Sequence, residues 1–367
     1  MTVAPGNLIA LLAVQQNVSD LQKQLNLYGN IDYVVDEGAE LADGYQLPDC
    51  WFAARGVARD NLEAAVAVKL PTDPYMHVWF YSWKNLDTNS QWPQKFNQIG
   101  SRGLTLLFDN VDKELARILK EFPNTKVLQQ PIKIQRKWGE TTSALVHDPE
   151  GTFVELVSIA NNPLVAKAQP ALPHHRSFLH FMMNCVNFQE TTKWYQAFGM
   201  DHDHGVDFRN LHHDDQFNRG IGGREIFMNQ MKTFSHHENV WTDCHFLRSP
   251  RDPSHMHLEL LEYNDSGRGL KDPGLNPTWF QKGIARYCMK TPSFEAAQRT
   301  VKERGYKIYI EEQRGALNWG DSQWFFFGDV DGNNGITRDT GVNVTDTLEK
   351  SWMFLLVRWE VSYARTY

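Results

Sequence analysis

Alternating apolar and polar residues repeat along the chain in one order of elements. In the second half, residues 178–186 alternate as a β-strand does, and residues 190–198 have the spacing of an amphipathic helix closed by Gly199. Residues 255–263 then alternate again, and a second copy of this order begins at residue 283. A unit of one strand, one helix and three strands cannot bury both faces of its sheet, so the copies must pack together.

The first half carries two weaker copies of the same order. Residues 8–14 predict a strand, followed by a helix over residues 18–28. Residues 103–108 predict another first strand, with its helix over residues 111–122. The turn sequence Asp-Pro-Glu-Gly at residues 148–151 lies between two apolar runs, which is typical of a hairpin.

One strand pair has the same register in both halves. Each half has an Asp-Pro turn, then Met-His, then an alternating strand. This alignment matches His77 with His257 and places Trp79 where Glu259 stands.

The segment most typical of a linker is residues 161–173, which is rich in Pro and Ala and lacks periodicity. With 367 residues the chain exceeds one typical core, so two domains are expected. We place them at residues 1–165 and 174–345, followed by a tail at 346–367. The apolar part of that tail is expected to cover a sheet edge or to form a contact in a homodimer.

Composition and charge narrow the classes of function. Hydrophobic residues make up 41% of the chain and charged residues 22%, as in globular proteins. A net charge of −7 without a basic run argues against nucleic acid as a partner. No apolar stretch is long enough to span a membrane. Four widely spaced cysteines lack metal-binding spacing, so we expect reduced thiols and a cytoplasmic protein. The 12 Trp residues suggest cavities lined by aromatic rings.

The order of elements, with the turn at residues 148–151 followed by Glu155, resembles the vicinal oxygen chelate superfamily. That group includes glyoxalase I, methylmalonyl-CoA epimerase, fosfomycin and bleomycin resistance proteins, and extradiol dioxygenases. The resemblance implies an α+β fold of four βαβββ modules, paired into two domains, each a cupped mixed sheet flanked by helices. The modules would span residues 5–85, 98–160, 176–265 and 282–342. Four modules in two domains is the arrangement of the extradiol dioxygenases.

The resemblance also implies a metal site. Family ligands lie on the first strand, usually His, and on the last strand, usually Glu, of each module. In the third module these positions hold His180 and Glu259. His257 lies two residues before Glu259, so both side chains face the same side of the strand. The three residues could bind Fe, Mn, Zn or Ni as two imidazoles and one carboxylate. Alternatively, His257 orients Glu259 from outside the metal shell or acts as a general base.

The fourth module departs from the family pattern. Arg286, or Tyr287 if the register slips by one, occupies its first-strand ligand position, and Ile336 stands at the expected Glu position. Arg286 could hold an anionic group of the substrate. It could also pair with Glu259 and replace the metal.

The first half departs further. Glu155 matches the family Glu, but Ala10, Gly103 and Trp79 occupy the other ligand positions. We therefore expect the first half to be non-catalytic.

The predicted function is a metal-dependent enzyme acting on a small, aromatic or apolar, oxygenated substrate. His257 and Arg286 are the expected catalytic residues, and the expected substrate-binding residues are Arg286, Tyr287, Trp279, Trp324 and His204. The four-module layout slightly favours ring cleavage with oxygen, whereas the ligand pattern is closer to a glyoxalase-like isomerase or lyase. Two further alternatives are a metal-free protein that sequesters an aromatic toxin or antibiotic, and acid–base catalysis by His180 and His257 without a metal.

Overall fold

The computed structural model describes residues 10–36, 47, 49–55, 57–71, 76–87, 100–136, 139–160, 177–203, 241–250, 252, 256–263, 280, 282–291, 293–306, 308–317, 320–330 and 353–359. These residues form two eight-stranded mixed sheets flanked by helices, which confirms the predicted α+β class. Among the helices of these ranges, none has the length and apolar character that crossing a membrane requires.

The elements follow the predicted βαβββ order in four modules. Module 1 comprises β1 (Ala10–Asn17), α1 (Leu21–Asn30), β2 (Val34–Val35), α2 (Asp49–Arg55), a 3-10 turn (Arg59–Asn61), β3 (Leu62–Lys69) and β4 (His77–Trp83). Module 2 comprises β5 (Gly100–Leu107), α3 (Val111–Glu121), β6 (Val127–Arg136), β7 (Gly139–His147) and β8 (Phe153–Ile159). Module 3 comprises β9 (Ser177–Cys185), α4 (Phe188–Gln196), β10 (Asp201–His202), β11 (Trp241–Arg248) and β12 (His257–Tyr263). Module 4 comprises β13 (Gly283–Lys290), α5 (Phe294–Glu303), β14 (Ile308–Leu317), β15 (Gly320–Phe327) and β16 (Met353–Trp359).

The helix that follows the first strand of each module begins in the same way. A polar N-cap side chain accepts a hydrogen bond from the backbone N–H three residues later; these caps are Asp20, Asn110, Asn187 and Ser293. Gly199 and Gly305 end α4 and α5 with positive φ angles of 76° and 72°, as glycine readily allows. After α1, by contrast, the residue with positive φ is Asp32 rather than the expected Gly29.

The modules pair across the two halves of the chain. Sheet A has the strand order β14-β15-β16-β13-β1-β4-β3-β2, so it joins modules 1 and 4. Sheet B has the order β10-β11-β12-β9-β5-β8-β7-β6 and joins modules 2 and 3. First strands meet antiparallel in both sheets, β1 with β13 and β5 with β9. The expected pairing within each half is therefore wrong, and the ranges 1–165 and 174–345 do not correspond to the two sheets.

The chain end is also part of a sheet. Strand β16 lies between β15 and β13, where it pairs with both neighbours. Residues 353–359 are thus the last strand of module 4 rather than part of a tail after it. Ile336, the predicted Glu position of this module, lies outside the described residues.

One face of each sheet packs against a core that the two sheets share. Phe181 of β9 stacks on Tyr287 of β13, with ring centroids 4.3 Å apart, and both rings are buried. Trp194 of α4 stacks on Phe327 of β15, so the helix of module 3 packs against a strand of module 4. Because side chains alternate along a strand, the residues next to Phe181 and Tyr287 face away from this core. Each sheet therefore has a second face, which forms its cup.

Candidate functional site

His180, Glu155 and Glu259 meet on the cup face of sheet B. His180 Nε2 lies 3.3 Å from Oε2 of Glu259 and 3.8 Å from Oε2 of Glu155. The strands explain the meeting: β9 runs beside β12, which carries Glu259, and beside β5, whose other neighbour β8 carries Glu155. One carboxylate comes from each half of the chain. We call this face, defined by these three residues, the His180 cup.

The imidazole lies deeper in the cup than the two carboxylates. The side chain of His180 is 8% exposed, against 24% for Glu155 and 14% for Glu259. Its Nε2 is buried, and no polar atom of the described residues is oriented to form a hydrogen bond with it, although Glu259 is within ion-pair distance. Other buried side-chain atoms of the described residues also lack a hydrogen bond, but this one lies 3.3 and 3.8 Å from two carboxylates.

Two hydroxyl groups hold the Glu155 carboxylate. Thr105 Oγ1 donates to Oε2 at 3.0 Å, and Ser143 Oγ donates to Oε1 at 2.5 Å. Burial raises the pKa of Glu155, and the nearby Glu259 charge adds to this, whereas His180 and the two hydroxyls act in the opposite direction. The site thus keeps two acidic groups close together in a poorly solvated place, which favours a bound cation.

Gly103 occupies the first-strand ligand position of module 2, and the neighbouring strand leaves no room there for a side chain. Gly103 pairs with Phe153 as His180 pairs with His257, so the two first strands are equivalent here. A Cβ at residue 103 would overlap the carbonyl oxygen of Phe153 and lie 2.8 Å from Cε of Met182. The close approach of the strands therefore requires glycine.

His257 lies on the same strand face as Glu259 but is engaged elsewhere. Its Nε2 is 2.9 Å from Oδ2 of Asp203, which also lies 3.1 Å from Nε of Arg248. Burial lowers the pKa of His257, and the bond to Asp203 opposes that shift. Phe246 lies between the two imidazoles, edge to face with each, at 4.9 Å from the ring of His180 and 5.8 Å from that of His257.

Among its described residues, sheet A has no acid–imidazole group at the positions that correspond to His180, Glu155 and Glu259. Arg286 takes the strand position of His180, and Trp79, which pairs with Gln15 as Glu155 pairs with Thr105, takes the place of a family Glu. Leu355 of β16 takes the second Glu position, because it pairs with Cys288 as Glu259 pairs with Met182. The remaining ligand position belongs to Ala13 rather than to Ala10, three residues later than expected.

Aromatic side chains fill the cup of sheet A instead. Trp51 of α2 is fully buried and stacks on Tyr81 and Trp83 at centroid distances of 5.7 and 6.3 Å. Trp324 and Phe326 belong to the same cluster, and the guanidinium of Arg286 lies over Phe326 at 5.5 Å. We call this face, defined by Trp51, Tyr81 and Trp324, the aromatic cup.

The structure therefore separates the residues that the sequence grouped into one pocket. Arg286 and Trp324 lie in the aromatic cup of sheet A, so Arg286 does not share a cup with Glu259, and the expected pairing of these two is wrong. Tyr287 is packed in the core between the sheets, where its hydroxyl donates to the Met182 carbonyl at 3.4 Å. Trp279 and His204 lie outside the described residues.

The donor set of the His180 cup suits a divalent metal in kind. One imidazole nitrogen and two carboxylates are common ligands of Zn, Mn, Fe and Ni. The buried, unbonded Nε2 of His180 is the donor that such an ion would satisfy. The three side chains do not form a ready coordination group in this conformation. Within the described ranges, no three His, Cys, Asp or Glu side chains form one.

Four residues of the site are not among those predicted from the sequence: Glu155, Thr105, Ser143 and Phe246. Glu155 was recognised as the family Glu of module 2 but assigned to a non-catalytic half. The missing information was the module pairing. No local pattern in the strands states which first strand pairs with which.

Comparisons with known proteins agree with this fold. No family model and no curated protein sequence matches the chain. Among solved structures, glyoxalase I from Zea mays is 15% identical, with 95% of this chain and 92% of that chain covered and a TM-score of 0.51. A mutant of the same maize enzyme is 16% identical, with 95% of this chain and 93% of that chain covered and a TM-score of 0.52. A glyoxalase family protein from Bacillus cereus is 14% identical and covers 43% of this chain over 99% of its own, with a TM-score of 0.34. The fold is that of these glyoxalase I structures, which confirms the fold predicted from the sequence. At these identities the similarity concerns the fold alone.

Proposed function

We propose that the protein is a divalent-metal-dependent enzyme that acts on a small oxygenated molecule in the His180 cup, by redox-neutral isomerase or lyase chemistry. His180, Glu155 and Glu259 would hold the ion. The observation that carries this proposal is the buried Nε2 of His180, which has no hydrogen bond among the described residues and lies 3.3 and 3.8 Å from two carboxylates.

The chemistry of the cup supports a role in charge stabilisation. A divalent ion held there would act as a Lewis acid and stabilise an oxyanion on the substrate. The protein's own contribution is orientation: Thr105 and Ser143 hold Glu155, and Phe246 packs edge to face against His180. The partial exposure of both carboxylates leaves them within reach of a small molecule.

The same geometry disfavours ring cleavage with oxygen. Non-haem iron oxygenases typically use two His and one carboxylate on one face of the metal. The second His would be His257, and its Nε2 is bonded to Asp203 at 2.9 Å. Two carboxylates and one imidazole remain, which better suits a redox-inactive Lewis acid. Trp324, which was expected to line the substrate pocket, lies in the aromatic cup. The prediction of an aromatic substrate therefore loses one of the residues on which it was based.

Metal binding is the first test. The chelator-treated protein is titrated with Co²⁺, followed by visible absorbance and calorimetry, for wild type, His180→Gln and His147→Gln. His147 is a matched control. Its Nε2 is also buried without a hydrogen bond among the described residues, but no ion pair with a carboxylate is found for it there. We expect one ion per chain in wild type and in His147→Gln. We expect a loss in affinity of more than about 100-fold in His180→Gln, since even outer-shell changes cost 10- to 100-fold.

Two results would contradict the proposal. A wild-type protein that binds no Co²⁺, Zn²⁺, Mn²⁺ or Ni²⁺ would favour metal-free sequestration or cofactorless acid–base catalysis. Equal affinity in His180→Gln would remove His180 from the site. For the reaction class, the metal-loaded protein is incubated with 2-oxoaldehydes and with catechols, while an oxygen electrode records consumption. Turnover that consumes oxygen would overturn the redox-neutral assignment.

A further inference from the structure

An acid, an imidazole and a guanidinium meet at one edge of sheet B, beside the edge strand β10. Asp203 directly follows the edge strand β10, Arg248 ends β11, and His257 begins β12. Asp203 Oδ2 lies 2.9 Å from His257 Nε2 and 3.1 Å from Arg248 Nε. One carboxylate therefore ties the end of the edge strand to the next two strands of the sheet.

Module 1 contains the same arrangement. Asp36 directly follows β2, Lys69 ends β3, and His77 begins β4. Asp36 Oδ2 lies 2.6 Å from His77 Nε2, and its Oδ1 lies 2.8 Å from Lys69 Nζ. The hydrogen bond from His77, together with Lys69, holds the pKa of Asp36 well below its usual range.

The strand registers show that the two groups are equivalent. The edge strand pairs with the cationic residue in both modules, Val34 with Lys69 and Asp201 with Arg248. The same alignment was visible in the sequence for His77 and His257. The duplicated group therefore consists of an Asp, a His and either Lys or Arg at matching positions.

Module 1 carries its group beside a cup whose described residues lack the ligands of the His180 cup. Its cup is the aromatic cup, in which Ala13, Trp79 and Arg286 take ligand positions and Trp51 fills the space. A group that persists there has a use that does not depend on a metal or a substrate. That use is to fasten the edge strand.

We propose that Asp203, His257 and Arg248 form a duplicated structural clasp, and that in module 3 this clasp has also become a positioning device for His180. The second part rests on the proposed function. His257 contacts Phe246 edge to face, and Phe246 contacts His180 in the same way. In module 1 the residue equivalent to Phe246 is Ala67, because Ala67 pairs with Trp79 as Phe246 pairs with Glu259. Of the two clasps, only the one in module 3 contacts an aromatic ring among the described residues, Phe246, and this ring fixes the orientation of the His180 imidazole. His257 is thus a positioning residue, neither a metal ligand nor the general base.

The duplication supplies the matched control for the test. His257→Gln and His77→Gln are compared with wild type by urea unfolding of the chelator-treated protein and by Co²⁺ titration. We expect both variants to lower the urea midpoint by comparable amounts. His77→Gln keeps the wild-type Co²⁺ affinity, whereas His257→Gln weakens it about 10-fold, as expected for an outer-shell residue. The cobalt absorption band should keep its wild-type position and intensity in both, because the ligands are unchanged.

Arg248→Lys copies the module 1 clasp into module 3 and should leave the midpoint, the affinity and the band unchanged. The positioning role is overturned if His257→Gln loses Co²⁺ as completely as His180→Gln with a changed band, since His257 would then be a ligand. The clasp is overturned if His257→Gln leaves the midpoint unchanged. A wild-type protein that binds no Co²⁺ would refute the proposed function and the positioning role, while the two midpoints would still decide the clasp.

Discussion

Replacement of Glu155 by Gln tests whether the site is assembled from both halves of the chain. The change keeps the size of the side chain and removes one negative charge 3.8 Å from His180 Nε2. Unit charges about 4 Å apart interact by about 4 kcal/mol at an effective dielectric constant of about 20, which corresponds to about 1000-fold in affinity. Part of this is offset by the cost of desolvating the carboxylate. We therefore expect Co²⁺ affinity to fall by about 100- to 1000-fold.

The same substitution should stabilise the metal-free protein. Burial and the charge of Glu259 raise the pKa of Glu155 above its ordinary value of 4.5, so the folded state binds its proton more tightly than the unfolded state does. For such a carboxyl group, stability falls as pH rises through the shifted pKa. Ionisation of Glu155 therefore opposes folding, and Gln removes that cost. Binding and stability thus change in opposite directions, which a purely structural carboxylate would not produce.

The assay is urea unfolding of the chelator-treated protein at pH 7, together with Co²⁺ titration. Glu150→Gln is the control, because Glu150 is buried and forms an ion pair with Lys282 at 2.9 Å, outside the His180 cup. That variant should lose about 2 kcal/mol of stability, below the range for fully buried pairs, and keep its affinity for Co²⁺. If Glu155→Gln binds Co²⁺ as wild type does, or is less stable than wild type, the site does not span the two halves.

Three further changes probe the fold around the site. Burial raises the pKa of Asp148 from 3.8 to about 6. The unfolding free energy should therefore fall by up to about 3 kcal/mol as the pH rises from about 4 to about 6. In the Asp148→Asn variant, urea titrations across that range should show a smaller dependence on pH. Gly103→Ala should cost about 3 kcal/mol or more, measured by urea unfolding, because its Cβ would overlap the carbonyl oxygen of Phe153. Trp51→Ala should cost about 3–5 kcal/mol by the same measurement but leave Co²⁺ binding at His180 unchanged, since the aromatic cup belongs to the other sheet.

The sequence predicted the modules well because their signals are local. Alternation, helix caps and the turn at residues 148–151 act over a few residues, and the strands and helices they predict are present within a few residues of the expected bounds. The proximity of His180 and Glu259 followed from the order of strands inside one module. The last strand of module 4 was missed, because residues 353–359 follow a long segment without the Asp-Pro-Glu-Gly turn that marks module 2.

The pairing of modules could not be predicted in the same way. Each module offers one first strand to a partner, and the antiparallel contact of β5 with β9 rather than with β1 depends on packing between distant residues. Because the pairing of modules was unknown, Glu155 was assigned to a non-catalytic half and Arg286 was expected beside Glu259. Both errors have one cause, since a ligand set shared by two modules can be assembled only when the partners are known.

The two cups have the same duplicated fold, but the aromatic cup contributes to stability and the His180 cup carries the proposed chemistry. In the aromatic cup, Trp51, Tyr81 and Trp324 replace the ligand group with packed rings, and burial of such rings stabilises the fold. In the His180 cup, two carboxylates and an imidazole without a hydrogen bond among the described residues are kept together at a cost in stability. Strained or poorly compensated groups persist where function requires them. The contrast within one molecule therefore favours sheet B, joined from modules 2 and 3, as the sheet that carries the proposed activity.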